Sequence, residues 1–119
     1  MLRERRHKGK RIVKRLETEF SAGGSDSRGI SSDVSVSGLF VRTSKPFSPD
    51  TLVDLTLHLP GNTVSKLKGR VRWAAKMGQI SGRNGMGIEI IENDHHFVNF
   101  VNTLLPPGEQ THHQENRNA

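Results

Sequence analysis

The stretch SSDVSVSGLFVRT, Ser31 to Thr43, puts an acid, five hydroxyl side chains and a glycine into a run otherwise composed like a strand. Successive side chains of an extended chain alternate between faces, so Asp33 and Ser35 share one side and Val34 and Val36 the other. An ionised carboxylate only accepts hydrogen bonds, whereas a hydroxyl gives and accepts them; together they suit a ligand edge rich in N–H donors. Gly38 lacks Cβ, which admits a positive φ and lets another group come close to the backbone. The same residues also suit a serine-rich turn in which Asp33 makes a local cap.

A second feature is electrostatic. The formal net charge is +6 over 119 residues, and the excess is local. Arg3, Arg5, Arg6, Lys8, Lys10, Arg11, Lys14 and Arg15 crowd the first fifteen positions against a single acid, Glu4. Such an arm favours anionic partners such as nucleotides, nucleic acids or lipid headgroups, and its composition also fits a solvated, disordered tail.

Catalytic patterns are weak by comparison. Serines and histidines occur, but no G-x-S-x-G elbow does, and no carboxylate pair sits in the apolar setting that splits pKa values for acid and base work. His95 with His96 and His112 with His113 are adjacent pairs; neighbours on a helix diverge by about 100°, and the second pair falls in a polar tail, so solvated histidines are expected. GRNGMG lacks Walker or Rossmann context. The chain has no cysteine, which excludes disulfides and thiolate metal sites and suits a reducing interior. No apolar run approaches the roughly 20 residues that span a bilayer, and the charged start lacks an apolar signal-peptide core. A soluble, cytoplasmic, non-catalytic protein is expected.

The elements that must position these residues are mostly strands. RIVKRLETEF, Arg11 to Phe20, alternates with Ile12, Leu16 and Phe20 inward and Arg15, Glu17 and Glu19 outward, predicting a first strand. SAGGSDS, Ser21 to Ser27, reads as a turn or mobile loop. RGISSDVSVSG resumes in β-prone runs, and Gly38 releases the chain into LFVRT, a third strand. TLVDLTLHLPG points Val53, Leu55, Leu57 and Leu59 inward. KLKGRVRWAA does the same with Leu67, Gly69, Val71 and Trp73, leaving Arg70 and Arg72 on a polar face that borders the site or, the favoured reading, is simply solvated. GMGIEII supplies a sixth strand. Phe97, Phe100, Val101 and Leu104 then form one stripe of a short helix, capped by Asn93 or Asp94 and stopped by Pro106 and Pro107. Short connections predict an antiparallel meander closed, or nearly closed, on itself, with the helix as a cap. Phe40 and Phe47 are the only rings left over for a surface stacking platform, too few for a nucleic-acid binder.

An ionised Asp33 could accept two hydrogen bonds from N1–H and N2–H₂ of guanine. DVSVSG, Asp33 to Gly38, matches the D/N-x-S-x-x-G pattern of PilZ domains and follows a basic arm and a first strand, as in that family. GRVRW, Gly69 to Trp73, and GMGIEI, Gly85 to Ile90, resemble the family's later strands, and the terminal helix agrees; the resemblance spans residues 5 to 105. It implies a mainly β protein, a six-stranded antiparallel barrel with a C-terminal α-helix, with a flexible arm over residues 1–10, the barrel and helix over 11–105 and a disordered tail over 106–119.

The implied ligand is cyclic di-GMP, a bacterial second messenger, with no cofactor and no metal. The implied contacts are Asp33, Ser35 and Gly38 on the strand, and Arg5, Arg6, His7, Lys10 and Arg11 in the arm, with Arg6 and Arg11 foremost. The family's R-x-x-x-R signature is imperfect: Arg6 pairs with Lys10, His7 with Arg11 and Arg5 with Gly9. Lysine offers a point charge where arginine offers a fork, so weaker binding follows. The implied activity is a receptor whose arm clamps the dinucleotide and signals to a protein partner. The alternative is a degenerate adaptor that acts through protein contacts without the nucleotide.

Overall fold

The structure, a computed structural model, describes residues 10–75 and 84–109. Its strands are β1 (Ile12–Val13), β2 (Glu17–Ala22), β3 (Ser25–Ser35), β4 (Gly38–Arg42), β5 (Leu52–Leu59), β6 (Thr63–Ala75) and β7 (Gly85–Glu92). One helix, α1 (His95–Leu104), follows, and then a 3₁₀ turn at Pro107–Glu109 within the expected tail. The remainder of the arm and tail lies outside the described residues.

All pairings are antiparallel, in the order β1-β3-β2-β5-β6-β7-β4, and an additional β3–β4 pairing closes six strands into a barrel with β1 as an extra piece on β3. The order is not the expected meander. After β4 the chain crosses to the far side of β2 before β5, β6 and β7 return it to β4. Closure leaves β2 and β4 on opposite edges of β3, so only such a crossing can add three further strands between them.

The alternation read from sequence holds in the long central strands. Val53, Leu55, Leu57 and Leu59 of β5, Leu67 and Val71 of β6, and Met86 and Ile88 of β7 are all buried. They meet Leu16, Phe20, Val34, Leu39 and Val41 in one core, closed at one end by Phe97 and Val101 of α1. Phe47 packs edge-to-face on Phe20 with ring centroids 5.2 Å apart, so it is no surface platform.

Ser21 to Ser27, read as a turn or mobile loop, is the end of a hairpin whose strands extend further than the composition suggested. Ala22 pairs with Ser25, and Gly23 and Gly24 make the two-residue turn with φ of 57° and 87°. Two consecutive left-handed residues match the twist of the flanking strands, which explains the glycine pair.

The segment expected as one strand from Arg11 to Phe20 breaks between β1 and β2. Ser31 causes the break. Its hydroxyl donates to the Lys14 carbonyl at 2.6 Å and accepts from the Leu16 amide at 2.9 Å, while its own amide donates to the Leu16 carbonyl. A buried side chain thus takes over the hydrogen bonds that a continuous ladder would have made.

The helix begins where the sequence placed it. Asp94 is the N-cap and accepts from the His96 amide. Its other oxygen accepts from the Ser65 hydroxyl at 2.6 Å and the Lys66 amide at 3.3 Å, tying the helix to β6. Partial burial alone would raise the Asp94 carboxyl, but these hydrogen bonds and the nearby His96 outweigh it and hold the group below its ordinary value of 3.8. A carboxylate whose folded value is depressed adds stability above the unfolded value, and that contribution disappears as pH falls through the folded one. Asp94→Ala is expected to cost about 1 kcal/mol, within the usual range for a lost cap. In thermal melts its deficit should be full at pH 6 and shrink toward pH 2, where the wild-type carboxyl is itself protonated.

Candidate ligand-binding site

The Asp33–Gly38 motif forms the end of β3, a tight turn at Val36 and Ser37, and the start of β4. Ser35 pairs with Gly38 across the turn. The Ser35 hydroxyl is buried and works inside the turn, accepting from the Gly38 amide at 3.1 Å and the Ser37 amide at 3.3 Å and lying 3.2 Å from the Gly38 carbonyl. In this state it shapes the loop instead of presenting itself to a ligand.

Gly38 does not take the positive φ expected of it, which among the described glycines belongs to Gly23, Gly24 and Gly61. The close approach is real, however. A Cβ at Gly38 would stand 2.6 Å from the Ile88 carbonyl oxygen, so this position needs glycine for room.

Asp33 points outward, its side chain about one-third exposed, and Arg11 Nη1 donates to Asp33 Oδ1. The end of the arm therefore rests on the motif acid. Backbone register makes this possible, because Val13 lies opposite Asp33 and Ile12 opposite Val34. Lys10 is exposed. Arg5, Arg6 and His7 lie outside the described residues.

Beside this contact runs a groove of about 380 Å³ whose lining includes Arg11, Ser37, Gly38, Arg72, Trp73 and Glu89. Trp73 was expected inward and is not. Val71 pairs with Ile88 and Trp73 with Gly87, so Arg72 is an extra residue in β6, a β-bulge. One added residue reverses every later side chain, and the ring emerges half exposed. It lies over Gly87, where a Cβ would come within 2.3 Å of its Nε1. One face stacks on Phe40, with centroids 5.1 Å apart and planes 21° apart. Phe40 itself is buried and is no platform.

Arg72 lines this groove while remaining half exposed, whereas Arg70 lies over another depression with Leu52 and Ile91. A third residue that sequence reasoning passed over is Arg15, which stands four positions after Arg11 and completes an R-x-x-x-R spacing inside the segment read as strand. It is exposed in the bend between β1 and β2 and does not line the groove. A spacing count carried into the first strand would have found it.

Other sites fit a nucleotide less well. A larger depression of about 450 Å³ over β2, β3 and β5 is bordered by Glu19, Asp26 and Asp54 with Arg28, a balance that disfavours a dianion. Asp94, His95 and His96 bring potential ligand atoms within 4.8 Å of one another, closer than divergent helix neighbours were expected to be. Both Asp94 oxygens are engaged, one as the helix cap and the other by Ser65 and Lys66, and the positive end of α1 opposes a cation there. His112 and His113 lie outside the described residues.

A closed antiparallel barrel with a terminal helix, bearing a groove lined by Arg11, Arg72 and Trp73 beside a motif turn, defines a small β-barrel domain with one candidate site. The PilZ domain family profile matches residues 4–103, and the chain belongs to that family of cyclic di-GMP receptor and adaptor domains. The fold is similar to the PilZ domain of CeSA from a cellulose-synthesizing bacterium, at 28% identity and a TM-score of 0.55, covering 71% of this chain and 83% of that one. It is also similar to the inhibitor of motility (MotI/DgrA) of Bacillus subtilis, at 18% identity and a TM-score of 0.62, covering 73% of this chain. The match spans only 43% of the inhibitor's length. No match was found among curated protein sequences. Among the described residues no helix is long and apolar enough to cross a membrane.

Ser35→Ala would leave the Gly38 amide buried without its acceptor. A loss of about 1–3 kcal/mol in urea unfolding is expected; an unchanged midpoint would mean that the turn holds without the hydroxyl.

Proposed function

We propose that this chain is a cytoplasmic, non-catalytic receptor module that binds cyclic di-GMP in the groove between the arm and the Asp33–Gly38 turn. The observation that carries the reading is the meeting of Arg11 with Asp33 at the rim of a groove floored by a half-exposed indole. Asp33 accepts from the guanine N–H edge, the Ser35–Gly38 turn borders the ligand, and the half-exposed ring of Trp73 offers stacking. Arg5, Arg6, His7, Lys10 and Arg11 supply charge to the phosphates and forked contacts to guanine O6 and N7. No separate cofactor or metal takes part.

Binding draws the arm down onto the barrel and replaces the Arg11–Asp33 ion pair with contacts to the ligand, an ordering step that a protein partner reads. Nucleic acid is a poor alternative. The exposed indole is a single platform, and tracking a strand needs several rings in series.

A second reading, an adaptor that acts through protein contacts without the nucleotide, draws support from the imperfect arm signature and from an Asp33 already paired with Arg11. Isothermal titration separates the two. With protein at about 100 µM, saturable heat and a micromolar or tighter Kd are expected for cyclic di-GMP but not for GTP; absence of heat rejects the receptor reading in favour of the adaptor. Asp33→Ala should weaken binding by about 1.5–3 kcal/mol, the cost of losing charge-assisted hydrogen bonds. Trp73 is the only tryptophan in the sequence, so quenching or a shift of its emission on titration reports occupancy of the groove directly.

A further inference from the structure

The arm's shortage of paired arginines raises the question of where a second forked cation would come from. β6 provides one. The bulge leaves Arg72 without an opposite residue on β7, since Val71 faces Ile88 and Trp73 faces Gly87. Its side chain is half exposed and lines the same groove as Arg11, next to the indole. Its tether among the described residues is Glu89, at 3.5 Å from Nη1 to Oε1. That separation is too long for a good hydrogen bond, and an exposed ion pair of this kind holds a side chain weakly. Arg72 is therefore positioned over the groove yet available to a stronger anion.

We infer that Arg72 is the second guanidinium of the nucleotide site, facing Arg11 across the groove and compensating for the missing arginine of the arm. This rests on the receptor reading above and deepens it. A phosphodiester or a guanine O6/N7 edge lying on Trp73 would offer a planar acceptor pair that a guanidinium meets with two parallel hydrogen bonds. On binding, Arg72 exchanges the Glu89 carboxylate for the ligand. Arg15, despite its suggestive spacing from Arg11, contributes only diffuse charge because it lies outside the groove lining. Arg70, on the same strand but over a different depression, contributes none of the contact.

The test compares wild type, Arg72→Ala, Arg72→Lys, Arg15→Ala and Arg70→Ala by titration with cyclic di-GMP, each checked for an unchanged thermal melt without ligand. Arg72→Ala is expected to weaken binding at least about tenfold, with Arg72→Lys intermediate, while Arg15→Ala and Arg70→Ala stay within about threefold. Wild-type binding with Arg72→Ala inside the threefold band overturns the inference and leaves the receptor reading standing, as does a larger loss at Arg15 than at Arg72. A wild type that fails to bind at all removes the receptor reading and the inference together.

Discussion

The turn that joins β3 to β4 is the constraint on which the remainder of the barrel depends. Closure requires β4 to pair with β3 on one edge and with β7 on the other, and the backbone at Gly38 stands so close to the Ile88 carbonyl that no Cβ fits. Ser35 secures the turn from within by capping the amides of Ser37 and Gly38. From outside, the Ile90 amide donates to the Ser37 carbonyl at 2.9 Å and Asn93 Nδ2 to the Val36 carbonyl at 2.7 Å. The same few residues thus close the sheet, border the groove and anchor the segment leading into α1.

Two irregularities turn a closed barrel, which by itself presents a polar outer wall, into something with a site. In β3 the register slips between Ser31 and Asp33, next to the point where Ser31 bends the incoming chain. That bend brings Arg11 to Asp33. In β6 the slip at Arg72 brings an indole to the surface beside them. A regular ladder would have kept Trp73 on the inward face and shifted the pairing of the first strand with the motif by one residue. Bulges add local twist and re-aim side chains, and here the one in β6 brings Arg72 and Trp73 to the groove that Arg11 also lines.

The electrostatics of the outer wall keep the site distinctive. Elsewhere charges are paired across strands, as with Lys68 and Asp54 at 2.7 Å, where the hydrogen bond and attraction to Asp54 raise the lysine, and His58 with Glu19 at 2.8 Å, where the hydrogen bond from His58 lowers the carboxyl. Such exposed pairs contribute little stability. They do leave those parts of the wall locally neutral, whereas the groove lining carries two guanidinium groups, Arg11 and Arg72, against the single carboxylate of Glu89.

Alternation in β5 and the first half of β6, the helical stripe of Phe97 and Val101 and the Asp94 cap were all legible in the chain, because each is set by a period of two, a period of 3.6 or a local hydrogen bond. The motif and its glycine were legible as well, although Ser35 turned out to serve the turn and Gly38 to provide room without a positive φ. Local rules could not foresee the crossing from β4 to β5, the break at Ser31 or the reversal of Trp73. Each depends on which strand lies opposite, and a single added residue, invisible in composition, inverts everything after it. The sequence by itself determined that this protein folds as a basic β-barrel with a helical cap; only tertiary pairing decided that Arg11, Arg72 and Trp73 line one groove and that Arg11 meets Asp33 beside it.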